Sequence, residues 1–304
     1  MRFLVPALTL LLALTASAAP YQKPFGKLHE EQKFNDYTVR IYRNDQPPPD
    51  TDKNPDHQEG LGCFEILKAG RQVYFQEGQF FVVGDVTPES GQTVTNPIKM
   101  GQSITDEKQP NLLVTEWDSG NHCCYVFHVF EIGDKFRQIG SIDAEYSEMS
   151  EFRDLRRDGS LELVTADFSF SNWNVASCFS HSPTLILRYQ HGRYLPDLEL
   201  MRKPAPTEKE LQEMAKELKA KFIGIKKDLP DDKWCAPYQM WQKMLDLIYS
   251  GNMKSAWKLC ELSWPAKHPG KMIFLKEFTA QLMTSPYYND INQAGFQGIA
   301  VHKG

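Results

Sequence analysis

The chain has 304 residues, 41% of them apolar and 24% charged, a composition that fits a globular protein of about two domains and excludes a fibrous or disordered one. Its net charge of -5 is spread along the chain with no basic cluster to track a phosphate backbone, so nucleic acid is not an expected partner.

The first residues carry the parts of an export leader: Arg2, the apolar run Phe3 to Leu14, and the small residues Ala16-Ser17-Ala18, with the cut expected after Ala18. The run is shorter than the roughly 20 residues a spanning helix needs. No later segment is apolar for long enough either, so no integral membrane segment is expected after leader removal, and the mature protein is expected in a periplasm or outside the cell. An oxidising compartment favours disulfides, and the six cysteines, Cys63, Cys123, Cys124, Cys178, Cys235 and Cys260, are all candidates; the sequence leaves their connectivity open. Cys235 and Cys260 fall in the helical end of the chain and could staple it.

After the leader, Ala19 to Lys33 is polar and expected to be loosely held. Tyr37, Val39 and Ile41 alternate with Thr38, Arg40 and Tyr42, which predicts a strand. Asp45 to Gly62, with prolines at 47 to 49 and many Asp, Asn and Gly, reads as a long surface loop whose functional reading is a mobile flap. Cys63 to Gln76 is a hairpin turning at Ala69-Gly70, and the outline recurs at Val129 to Ile139 and at Leu185 to Leu195. Ser103 to Trp117 also aligns with Asp154 to Phe168 at a constant offset of 51 residues, pairing Leu112 with Leu163, Glu116 with Asp167 and Trp117 with Phe168. The unit is loop, strand, rim loop, hairpin, which predicts a repeated antiparallel arrangement.

Within that unit DLRRDGSLEL, from Asp154 to Leu163, resembles the calcium loop of the FG-GAP and VCBS-type repeats of secreted β-propeller proteins, at Asp154, Asp158, Gly159 and Glu162. The resemblance implies blade-like sheets and a non-catalytic surface for binding or adhesion. Arg156 departs from the pattern, because it puts a positive charge where hard cations need an acidic oxygen. The alternative for this loop is a structural turn in which Gly159 supplies a positive φ.

Asn111 to Ile132 joins a buried apolar strand, a polar loop and an alternating strand, and its loop carries Trp117, Asp118, His122, Cys123 and Cys124, with His128 beyond it. Imidazole beside thiolate suits zinc or copper, or a His-Cys nucleophile; the alternative is a histidine beside a disulfide that pins two loops. Glu116 and Asp167, in equivalent places, are candidates for paired acid and base or for acceptors of loop amides. Ser169 to His181 offers Trp173, Phe179 and His181 as an aromatic rim for carbohydrate or peptide, or as a cap on the core.

Past Pro204-Ala205-Pro206 the pattern becomes helical. Thr207 to Glu210 is a capping box for a helix to about Phe222. Further helices are expected at Tyr238 to Tyr249, Met253 to Ser263 and Lys271 to Met283, with a frayed tail from Asn289. Gly251, Ala256 and Pro265 in LIYSGNMKSAWKLCELSWP give a single hairpin similar to the tetratricopeptide type.

The expected fold is α+β: residues 1-18 a leader, 19-203 an antiparallel β region of propeller-blade-like repeats, as an incomplete propeller or a meander or sandwich, and 204-304 a helical domain. The expected function is an exported non-catalytic binding protein that recognises a protein or an envelope polymer through loops 117-124 and 169-181, with no cofactor. The alternatives are a hydrolase using Glu116, Asp167 or His122, and a helical scaffold in which Trp241 and Trp257 hold a partner.

Overall fold

The computed structural model describes residues 20–44, 61–85, 98–117, 125–145, 150–225 and 234–295. The expected leader, nearly all of the loop 45–62, and Asp118, His122, Cys123 and Cys124 lie outside the described residues.

The fold is α+β, with three four-stranded antiparallel sheets, each taking its strands in chain order, followed by helices. Sheet 1 contains β1 (Lys27–Phe34), β2 (Tyr37–Arg43), β3 (Gly62–Lys68) and β4 (Arg71–Gly78). Sheet 2 contains β5 (Phe80–Val83), β6 (Asn111–Trp117), β7 (Tyr125–Ile132) and β8 (Phe136–Asp143). Sheet 3 contains β9 (Glu151–Arg153), β10 (Glu162–Ala166), β11 (Thr184–Gln190) and β12 (Arg193–Pro196). The three hairpins read from the sequence are the last two strands of each sheet. Two of them turn through left-handed residue pairs, Ala69 and Gly70 at φ 49° and 76°, and His191 and Gly192 at φ 51° and 84°. Such pairs match the right-handed twist of the flanking strands.

The polar segment expected to be loose is instead β1, paired with β2 from Lys27 against Arg43 to Phe34 against Tyr37. As an edge strand it needs little apolar surface, and its charges discourage pairing with other chains.

Sheet 2 decides the architecture because both of its faces are apolar. Side chains alternate along a strand, so Leu112, Val114, Phe130 and Ile132 face one way and pack with Tyr37, Val39, Ile41, Phe64 and Ile66 of sheet 1. Leu113, Phe127, Val129, Ile139 and Ile142 face the other way and pack with Leu163, Leu185, Leu187 and Tyr189 of sheet 3. A strand as apolar as β6 is stable only when covered on both sides. Sheet 2 is therefore the middle layer, and Gly140 of β8 lies so close to Tyr194 of β12 that a Cβ would fall 2.9 Å from its ring.

The helices extend the second core. They are α1 (Leu198–Met201), α2 (Glu208–Ala220), α3 (Tyr238–Tyr249), α4 (Met253–Ser263), α5 (Lys271–Leu282) and α6 (Tyr288–Gly295). The capping box forms as read, with Thr207 accepting from Glu210 N at 3.3 Å and Glu210 accepting from Thr207 N at 2.7 Å. Asn252 does not cap α4 through its side chain; its Nδ2 donates to Lys203 O at 3.0 Å and holds the linker. Helix α6 includes the first residues of the expected frayed tail, and its Ile291 is buried. Phe170, Trp241, Phe274 and Phe278, each at most 1% exposed, share one core with sheets 2 and 3, and burying each side chain of that size contributes roughly 1.5–3 kcal/mol. Among the described residues no helix is long and apolar enough to cross a membrane.

Candidate functional site

The segment 167–183 joins β10 to β11 and passes over the helical core. Its first residue, Asp167, is 3% exposed. Oδ1 of Asp167 accepts Ser169 N at 2.9 Å and the Ser169 hydroxyl, and Oδ2 accepts the hydroxyls of Tyr249 and Ser285. Burial first, and then the adjacent Asp167, push the Tyr249 hydroxyl well above its ordinary pKa, so it stays a donor. Asp167 ties sheet 3 to α3 and to the turn before α6, and both of its oxygens are occupied. Beside it, burial and then the charges of Asp143 and Asp167 raise Glu145 to about 7, and burial followed by the same two carboxylates raises Tyr287 to about 12.

Glu116 is not paired with Asp167. It lies on the face of β6 toward sheet 1, where Oε2 accepts Gln76 Nε2 at 2.8 Å and lies 2.8 Å from His128 Nε2. Gln76 Oε1 accepts the Tyr74 hydroxyl at 2.7 Å, and Ser141 Oγ lies 3.5 Å from His128 Nδ1. Gly78 makes room for this arrangement, since a Cβ there would sit 2.2 Å from Glu116 Oε1. The sequence signal for the cluster was polar residues, Gln76, Glu116 and His128, at strand positions on an otherwise apolar face. Trp117 is half-buried in a ring ladder, 5.3 Å from Phe80 and 6.1 Å from Tyr125 by centroid.

The aromatic rim divides. Trp173 packs against Phe170, Trp234, Trp241 and Phe278, so it caps the core and is not a free binding ring. Phe179 is 49% exposed, and its ring lies 5.1 Å from that of Tyr238. His181 Nε2 lies 2.7 Å from Asp246 Oδ1, and Gln242 Nε2 donates to Phe179 O at 2.9 Å, fixing the loop on α3. Asn172 and Asn174 take left-handed φ values of 58° and 54°, which asparagine tolerates better than most residues. Next to this loop Asn174, Val175, Trp234, Pro237, Tyr238 and Trp241 line a groove of about 400 Å³. Trp234 and Tyr238 escaped the sequence reading; the signal was the cluster WCAPY just before a helix.

In the loop that resembles a calcium loop, the acidic side chains have internal partners. Asp154 accepts the amides of Asp158 and Gly159 at 3.1 and 3.2 Å, and Asp158 accepts Ser160 N at 2.9 Å, so both are used within the turn. The Arg156 guanidinium bonds Asp197 at 2.6 and 3.1 Å and Glu199 at 2.9 Å, and lies 3.8 Å from the fully buried Glu162. Arg156 thus ties the turn to the residues that open α1. Among the described residues no group of three or more His, Cys, Asp or Glu side chains is arranged to hold a metal ion.

Two of the six disulfide candidates, Cys123 and Cys124, lie outside the described residues. Cys63, Cys178, Cys235 and Cys260 carry free thiols. Cys260 sits in the helical core with no sulfur partner, so it does not staple Cys235, and burial pushes its thiol to about 12.

Comparison with known proteins returns no similar family model, curated protein or solved structure.

Proposed function

We propose that the chain is an exported binding protein that recognises a protein or a cell-envelope polymer on the surface formed by residues 172–181 and the start of α3. The observation that supports this most is the groove beside Phe179 and Tyr238, where rings and amides adjoin on a loop anchored to a rigid helix. Rings supply large contact area at low entropic cost, and amides fix orientation. Export rests on Arg2, Phe3 to Leu14 and Ala16-Ser17-Ala18, and predicts a mature N-terminus at Ala19 by intact mass.

We read the three sheets as blade-like units of an open array, each a four-strand meander with its hairpin in the same place. Three such units fall short of the at least four blades that closed propellers use. A hydrolase built on Glu116 and Asp167 as paired acids is disfavoured, since Glu116 faces sheet 1 whereas Asp167, past β10 of sheet 3, bonds Tyr249 of α3 and Ser285, and each is held by internal hydrogen bonds. The scaffold reading is disfavoured too, because Trp241 is 1% exposed.

The test is capture on purified peptidoglycan sacculi and on a cross-linked periplasmic extract, comparing wild type with Phe179→Ala combined with Tyr238→Ala. Loss of two partly exposed rings leaves the core intact and is expected to weaken capture about tenfold or more. Capture of neither material, or capture indifferent to both rings, contradicts the reading.

A further inference from the structure

A set of side-chain hydrogen bonds between sheets 1 and 2 converges on Glu116. Tyr74 donates to Gln76 Oε1 at 2.7 Å, which turns the amide so that Nε2 donates to Glu116 Oε2 at 2.8 Å. A carboxylate oxygen only accepts, so its 2.8 Å contact with His128 Nε2 makes Nε2 the protonated ring nitrogen. Gln76 Nε2 lies 3.3 Å from that same nitrogen, but with Nε2 protonated both atoms are donors and no hydrogen bond joins them. Nδ1 is then left with a lone pair, and the group 3.5 Å from it is the hydroxyl of Ser141.

Burial falls off toward Ser141. The His128 and Glu116 side chains are 5% and 18% exposed, whereas Ser141 on the edge strand β8 is exposed. An acid fixes the tautomer, a shielded imidazole serves as base, and a reachable hydroxyl stands at the end. That is the division of labour of a nucleophilic serine site, here with the two ring nitrogens exchanged relative to the usual wiring. A serine–imidazole separation of 3.5 Å falls within the looser spacing that unliganded sites show.

We propose that Ser141 is a nucleophile toward carboxylic esters, activated by His128 and with Glu116 as the positioning residue, an activity beyond the binding function above. Ser141 Oγ attacks the ester carbonyl carbon while its proton passes to His128 Nδ1. Collapse of the tetrahedral adduct breaks the bond to the alcohol oxygen, which leaves with that proton. Water then attacks the acyl-serine, giving a proton to Nδ1, and the second collapse returns it to Ser141 and releases the acid.

The experiment uses the full chain, a fluorophosphonate serine probe with peptide mass spectrometry, and p-nitrophenyl acetate release. The expected result is one adduct, on Ser141, and ester turnover that Ser141→Ala abolishes while the thermal melt is unchanged, as an exposed side chain allows. Glu116→Gln is expected to slow labelling on the order of 100-fold or more and to alter its pH profile, which a merely structural role for Glu116 would not do. Wild type that gains no adduct at Ser141, or turnover that survives Ser141→Ala, overturns the proposal. Neither readout depends on Phe179 or Tyr238, so failure here and failure of the binding reading are separate results.

Discussion

At the scale of the residue, charge is handled by internal partners. Asp167 is the clearest case, because the sequence marked it as a candidate acid and the structure fills both of its oxygens from Ser169, Tyr249 and Ser285. Asp167→Asn keeps the shape but removes the charge and one acceptor oxygen from this set of donors, and is expected to cost about 1–3 kcal/mol in urea unfolding. Glu145 behaves differently. Its pKa is raised from 4.5 to about 7 by burial and then by Asp143 and Asp167, so the folded state prefers the protonated form. Its contribution is fully present below about 4.5 and is lost as pH rises through about 7. Glu145→Gln removes that loss. Melts taken across this range are expected to match wild type in acid and to exceed it above neutral pH; equal pH dependence in both proteins contradicts the assignment.

At the scale of the element, legibility follows locality. The capping box at Thr207 and Glu210 and the hairpins at Ala69-Gly70 and His191-Gly192 were readable because a few neighbouring residues set them. The strands β1, β5 and β9 were not. β1 is polar and gains its structure from pairing with β2, and β5 and β9 are of four and three residues, too short for a period to show. For Trp173 and the Asp154 loop the sequence left two readings each, rim or cap on the core and calcium loop or structural turn, since packing on α3 and the placement of Arg156 depend on contacts distant in sequence. Gly192, at φ 84°, tests the turn argument: Gly192→Ala is expected to cost about 1–2 kcal/mol, read by thermal or urea melts. Gly192 has open space around it, so strain in the backbone, not a clash, is what the variant would measure.

At the scale of the whole molecule, the helical part is not an appendage. The sequence suggested a boundary near residue 204, yet one core runs from Leu113 and Phe127 of sheet 2 through Leu163 and Leu187 of sheet 3 to Trp241 and Phe278. Removing residues 204–304 would bare that surface and strip Asp167 of Tyr249 and Ser285. The truncated chain is expected to aggregate, and the intact chain to unfold in one calorimetric transition whose calorimetric and van't Hoff enthalpies agree. Two resolved transitions would show instead that the parts fold separately. The loop 167–181 is held between sheet 3 and α3, which positions the groove beside it.

The most direct test of the binding surface is hydrogen exchange of the mature chain with and without solubilised peptidoglycan fragments. Protection concentrated in residues 172–181 and 234–242 is the predicted result; protection confined to sheet 1, or none at saturating fragment, would contradict it.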